Sequence, residues 1–332
     1  MNRCVELPFC TPVFASMPAH ASAGLAISSH PTAYNGMLNV CTNISCKRDF
    51  IGGYTSPCVD IPRLNIYSLY FIERNIVSLR YVSKFVDTII KQMLDDGYYV
   101  HYYGVDDFYL PGKSWYGTRH MHHSGTICGY DDDDETYSIA AYDIDWVYRL
   151  IRIPRESFSV GLASSLKDGY YGYLVSCRAV KEDVPLSEKS ILRGMREYIN
   201  SNFEKYPSDK DGEVSGIVVH DYLAMYIDKL KDGSIPYEKM DWRALRPVWE
   251  HKKCMLDRIK AVENKNGWSN ELSERYAPVV EKANCIRMMY AMYHKNHNDK
   301  LLDKIRDGLL ELADGDREIV GDFISRLEEL VK

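Results

Sequence analysis

Apolar residues at Val82, Phe85, Val86, Ile89, Ile90, Met93 and Leu94 recur at the i, i+3, i+4, i+7 spacing of an amphipathic helix. Residues 82–95 are therefore predicted helical, with Gly97 as the cap. Residues 98–103 follow as an aromatic and β-branched strand ending at Gly104. Asp106, Asp107 and a Leu-Pro-Gly turn at 110–112 come next. Alternating patterns at 124–130 and 136–142 flank an acidic turn and predict a hairpin, and 147–153 and 170–179 read as further strands. Beyond about residue 185 the period changes. Segments 188–203, 216–231, 245–264, 269–294 and 301–332 each carry a helical stripe, the second stopping at Asp232-Gly233 with Pro236 behind it. The fold expected is α+β: an antiparallel sheet with helices over 1–185, then a mostly helical region, 186–332, packed on it.

The chain has 332 residues, 45% apolar and 27% charged, with a net charge of −6. That composition suits a folded domain or two. It lacks the basic stripe a nucleic-acid binder needs, so no nucleic-acid partner is expected. No apolar run reaches the roughly 18 residues of a membrane span, and the first twenty residues lack the apolar block of a signal peptide. No membrane partner is expected, and the expected location is cytoplasmic. The nine cysteines are scattered, which predicts reduced thiols acting mostly as small hydrophobes. Gly52-Gly53 and Gly125…Gly129 lack the partners of a phosphate loop or dinucleotide fingerprint, so no cofactor is expected. The 26 tyrosines, many of them before residue 175, suit either a ligand cleft or a core of tyrosines with bonded hydroxyls.

The chemistry concentrates on the hairpin. With the turn centred on Asp133, His123 and Asp143 stand opposite each other, and opposed β-carbons lie about 5 Å apart. A carboxylate there would fix the imidazole tautomer and raise its basicity. A one-residue bulge would bring Asp145 into competition, and an exposed surface histidine explains the spacing equally well. His120 and His122 share one strand face and His123 takes the other, so at most two imidazoles converge and no metal is expected. The run Asp131 to Asp134 lacks the glycine of a calcium loop and reads as a solvated turn.

Several of these pieces together resemble the papain-like fold of the butirosin biosynthesis protein H N-terminal-domain family, and more distantly the peptidase domains that trim bacteriocin leader peptides. They are Asp-Gly-Tyr-Tyr-Val at 96–100, Asp-Phe-Tyr-Leu-Pro at 107–111, His123, and Gly-Tyr-Asp at 129–131. Pro-Ala-His-Ala at 18–21 and His-Pro-Thr-Ala-Tyr at 30–34 look like small relatives found beside nonribosomal peptide synthetase genes, and 217–229 and 249–260 look like their helical tail. The resemblance implies acyl transfer in peptide or antibiotic biosynthesis, from the thioester of an acyl or peptidyl carrier protein to an amine or peptide-like substrate. It implies His123 as base and Asp143 as its orienting carboxylate. The family's nucleophilic cysteine, at the start of the first helix, is replaced by Ala21. Cys10 is the nearest substitute, Cys41 the next, and Ser22 lies one residue beyond. A domain without catalysis that binds the carrier or the metabolite in a Tyr-lined cleft, and a thioester or peptide hydrolase, are the alternatives. Arg74, Arg80, Lys84, Lys113 and Arg119 would make a basic rim for an acidic carrier if they cluster.

Overall fold

A computed structural model describes residues 3–52, 56–64, 69–201 and 212–332. The chain is α+β and divides into two compact units: Met1–Tyr34 with Asn65–Val184, and Asn35–Leu64 with Pro185–Lys332. The change of pattern near 185 falls at this division, but the sequence pattern gave no sign that Asn35–Leu64 goes with the helices.

In chain order the first unit contains β1 (Cys4–Glu6), α1 (Pro18–Ser28), β3 (Ile72–Ser78), α3 (Leu79–Val82), α4 (Val86–Asp95), β4 (Tyr99–Asp106), β5 (His122–Asp131), β6 (Thr136–Tyr142), β7 (Tyr148–Pro154), α5 (Arg155–Lys167) and β8 (Tyr173–Ala179). Its antiparallel sheet runs β3-β8-β4-β5-β6-β7. β1 pairs with β5 at 129–131, beyond the stretch that β4 covers. The two strands of the expected hairpin pair as antiparallel neighbours, with an irregularity between Ile127 and Gly129. The helix expected over 82–95 is divided, a 3₁₀ turn at Ser83–Phe85 separating α3 from α4.

Strand alternation decides which helices cover which face. Val100, Tyr102, Ile127, Ile139 and Leu174 pack with Ile90 and Leu94 of α4 and Phe158 and Leu162 of α5 in one buried cluster. The intervening His101 and Thr126, directly paired across β4 and β5, instead meet Ser22 of α1. Near its end β4 carries a bulge between Tyr103 and Val105. Gly104 takes a φ of +89° there, and an added Cβ would strike the Tyr170 ring at 2.6 Å.

The second unit holds α2 (Ala33–Val40, which enters it at Asn35), the ribbon of β2 (Ser45–Lys47) with β9 (Glu213–Ser215), and α6 (Glu188–Ile199), α7 (Val219–Lys231), α8 (Arg246–Asn266), α9 (Glu271–Asn296) and α10 (Lys300–Val331). α10 packs on α6, α7 and α9. Arg258 of α8 is buried and donates to the Leu38 and Cys41 carbonyls at 2.7 and 2.6 Å. Those carbonyls close α2, whose last turn has no onward helix to bond. Arg258 thus pins the 35–64 segment to the helices by hydrogen bonds that no periodicity foretells. Residues 202–203 of the first expected helix lie outside the described residues. Among the described residues no helix is long and apolar enough to cross a membrane.

Candidate functional site

Asp106 closes β4 and Asp107 follows it, and each carboxylate meets a histidine at or just before the start of β5. Asp107 opens a 3₁₀ turn, and its amide donates to the Met121 carbonyl at 2.9 Å. This bond ties the end of β4 to the lead-in of β5 and brings the Asp107 carboxylate to His123, Oδ2 lying 3.0 Å from Nδ1. The carboxylate is fully buried, whereas the imidazole is 33% exposed. Lys113, itself buried, lies 3.3 Å from the same Oδ2 and donates to the Ser124 carbonyl at 3.2 Å. An ionised carboxylate at a fully buried position needs such a counter-charge. Asp107 Oδ1 has no hydrogen-bond partner among the described residues.

Asp143 is not what orients His123. Its carboxylate accepts the Asp145 and Val147 amides at 2.9 Å each and is ion-paired with Arg149. It builds the turn between β6 and β7, and Asp145 likewise pairs with Arg149. The β5–β6 ladder reaches Thr126↔Ala140 and then ends, so the mirror spacing expires three residues before His123. Lys113, expected on a basic rim, is instead sealed against Asp107.

The other two histidines take separate partners. His120 Nδ1 lies 2.7 Å from Asp106 Oδ2, and Asp106 also accepts the Phe108 and Met121 amides and the Ser164 hydroxyl. Burial pushes the Asp106 carboxyl up, but these hydrogen bonds outweigh it and hold the group below the usual carboxylate range. His122 Nδ1 meets Ser165 Oγ at 2.8 Å and its ring stacks on Tyr170. Tyr103 in turn packs beside Tyr170 and stacks on Tyr173, giving an aromatic row next to the histidine strand. Tyr130, Tyr137 and Tyr99 are core residues with bonded hydroxyls, on Asp95, Asp87 and the Pro8 carbonyl respectively.

The first helix supplies no free nucleophile. Ala21 is buried. Ser22 Oγ is also buried and lies within 2.9 Å of the Pro18 carbonyl, 2.8 Å of His101 Nδ1 and 2.5 Å of Thr126 Oγ1. Burial pulls His101 down to about 4, and the nearby His123 and Lys113 charges add to this against a bond to the Gly125 backbone. It is a neutral imidazole at neutral pH. Cys10 is exposed and lies in the electrostatic surroundings of Tyr99, Cys128 and Tyr148; no hydrogen bond among the described residues joins it to His123. Cys41 is buried in the helical unit, and that burial pushes its thiol well up, away from the reactive thiolate.

Of the sequence candidates, His123 is the histidine joined to a buried carboxylate. Asp107 at His123, Lys113 at Asp107 and His101 at Ser22 are the pairings that sequence reasoning missed. Asp107 was visible only as part of a turn, because its approach to His123 depends on how the 107–121 connection folds back. No family model matches the chain, and no curated protein matches it significantly.

Proposed function

We propose that the sheet unit catalyses acyl transfer from a thioester to an amine, in the biosynthesis of a peptide or antibiotic-type metabolite. The carrying observation is the bond between buried Asp107 and half-exposed His123. Asp107 accepts Nδ1–H, which leaves Nε2 as the lone-pair nitrogen. In this reading Nε2 takes a proton from the acceptor amine as its nitrogen attacks the thioester carbonyl. The C–N bond forms, the C–S bond breaks, and Nε2 returns the proton to the departing thiolate. Residue 21 is alanine and Ser22 is held by three neighbours, so the amine attacks directly and no acyl-enzyme forms. The thioester donor is an acyl or peptidyl carrier protein, as the likeness to papain-like members of the butirosin family implies. A covalent route through Cys10 is the competing form of the same chemistry.

The deciding experiment incubates the protein with an acyl-carrier thioester and a panel of amines, following product by chromatography and the protein by intact mass. Turnover that survives Cys10→Ala, disappears in His123→Ala and leaves no acyl adduct supports direct attack. An adduct on Cys10, with turnover lost in Cys10→Ala, replaces it by the covalent route. Release of free acid without amide makes the unit a hydrolase. No turnover of any thioester, with carrier binding equal in wild type and His123→Ala, makes it a binding domain.

A further inference from the structure

The path of the antiparallel sheet ends in β3 and β7, and the two edges are built differently. Flanking β3, the Leu79 amide donates to the Gly172 carbonyl and the Val180 amide to the Phe71 carbonyl, each at 3.0 Å. Both bonds are in register with the unbroken ladder from Ile72↔Ala179 to Ser78↔Tyr173. Antiparallel bonding alternates, so the odd-numbered residues of β3 bond β8 and the even-numbered ones point their amides and carbonyls outward. Ile72 turns its amide back to the Leu69 carbonyl. The outward groups of Arg74 and Ile76 have no backbone partner among the described residues. Both faces of the strand are uncovered there too, because Arg74, Asn75 and Ile76 are all exposed.

β7, at the other edge, is blunted. The Arg155 amide donates to the Glu135 carbonyl and the Asp143 amide to the Val147 carbonyl, which leaves Pro154 facing outward without an N–H. A proline on that side of an edge strand stops a further strand from pairing. β3 has neither a proline nor a bulge.

The side chains around the open edge select what can join it. From Arg74 to Val86 the chain has three cations, Arg74, Arg80 and Lys84, and no acid, although the whole protein carries −6. None of the three is ion-paired among the described residues, and the Arg80 guanidinium lies 4.7 Å over the Tyr171 ring. Glu73, next to Arg74, is taken by Arg178 and Tyr98. Ile76, Tyr81, Phe85 and Tyr171 are each more than half exposed, so apolar surface is interspersed with the cations. A second copy pairing edge to edge would set these cations against their own counterparts. An anionic membrane answers the charge but offers the outward amides and carbonyls no ladder. An acidic polypeptide answers both.

We propose that β3 takes on an acidic peptide in extended form as a further strand of the sheet. Its backbone bonds the outward groups of Arg74 and Ile76, its carboxylates meet Arg74, Arg80 and Lys84, and its apolar side chains lie on the exposed Ile76 and aromatic rings. In such strand addition the main-chain bonds supply affinity and the alternate side chains supply selectivity.

The test uses the full-length protein and a peptide as long as β3, seven residues, alternating glutamate and valine. A lysine–valine peptide is the charge control. Amide hydrogen exchange should slow at Arg74 and Ile76 and stay unchanged at Asn75, whose amide faces β8. Ile76→Pro removes one outward amide and leaves the bonds to β8. It should weaken the glutamate peptide about tenfold or more, the worth of one or two backbone hydrogen bonds. Arg74→Glu should weaken the glutamate peptide and admit the lysine one. N-methylating one alternate set of peptide amides should abolish binding, and methylating the other set should leave it unchanged. That arm decides should Ile76→Pro fail to fold by circular dichroism. No binding of the glutamate peptide overturns the proposal. Equal affinity in Ile76→Pro and for both methylated peptides means adhesion by charge alone and also overturns it. So does self-association in the ultracentrifuge that Ile76→Pro abolishes, or sedimentation with phosphatidylserine vesicles in place of peptide binding. Every outcome is independent of the chemistry at His123.

Discussion

Asp107 reaches His123 at 3.0 Å, Oδ2 to Nδ1, across sixteen residues of chain, from the end of one strand to the start of the next. The pairing depends on the 107–121 connection, whose return is fixed by the bond from the Asp107 amide to the Met121 carbonyl. His123→Gln keeps a polar side chain but removes the base, so acyl transfer should fall by about 10²–10⁴-fold. Asp107→Asn leaves the ring in place but no longer selects the Nδ1–H tautomer, and kcat should drop with KM little changed. Steady-state kinetics on a carrier thioester checks both, and equal kcat in wild type and Asp107→Asn would end the orienting role.

Lys113 and Asp107 are a buried ion pair. Removing one partner leaves the other charge unpaired, so Lys113→Met should destabilise the protein by about 3–5 kcal/mol. Lys113→Met/Asp107→Asn should recover much of that loss. Urea denaturation of the wild type and the three variants gives the comparison, and additive losses would show that the pair is not coupled.

His101 titrates at about 4 in the folded chain, against about 6.5 when unfolded. The folded value is the lower one, so the unfolded chain takes up the proton first as pH falls. Stability is unaffected above about 6.5 and declines between there and 4, at up to about 1.4 kcal/mol per pH unit. His220 and His251 in the helical unit act in the same direction, so the informative quantity is a difference from wild type. Between pH 7 and pH 5, His101→Gln should lose about 2 kcal/mol less than wild type. Parallel losses would contradict burial of a neutral imidazole at this position.

Asp106 behaves oppositely, because its folded value is depressed. Its contribution is present above the unfolded carboxyl value of about 3.9 and disappears as pH falls through the lower folded one. Wild type should therefore lose stability more steeply than Asp106→Asn below about pH 4, as acid-unfolding curves would show.

Arg258→Met removes the Arg258 bonds from the Leu38 and Cys41 carbonyls and leaves Cys41 only the long Cys254 thiol contact at 3.9 Å. Each lost bond costs about 1–3 kcal/mol, so the variant should be less stable by roughly 2–6 kcal/mol. Hydrogen exchange should quicken first at the end of α2.

Elements with one clear hydrophobic period were legible in the sequence. The β5 and β6 segments are rich in strand formers on either side of an acidic turn, and α7 to α10 carry stripes that the structure buries. α1 was not legible, because Ala21, Ser22, Ala23, Leu25, Ala26 and Ile27 are all buried and leave no polar face to mark a period. β3 was missed because its central residues, Arg74, Asn75 and Ile76, are all exposed. At the site, His123 stood out as a histidine on a strand, but its carboxylate did not. Mirror counting applies only while a ladder lasts, and this one stops at Thr126↔Ala140.

Each compact unit is assembled from two stretches of chain, and the stretches alternate. Synthesis proceeds from the N-terminus, so the sheet unit has all its residues once Val184 leaves the ribosome. Asn35–Leu64 has emerged long before that, yet its partners, the β9 ribbon strand and the Arg258 clamp on α2, are still unmade. For that interval the nascent chain presents Met37, Leu38 and Phe50, all buried in the finished protein, with nothing of their own unit to cover them. Chaperone demand should therefore last until residues 213–258 have been made, and it should be set by the much earlier segment Asn35–Leu64.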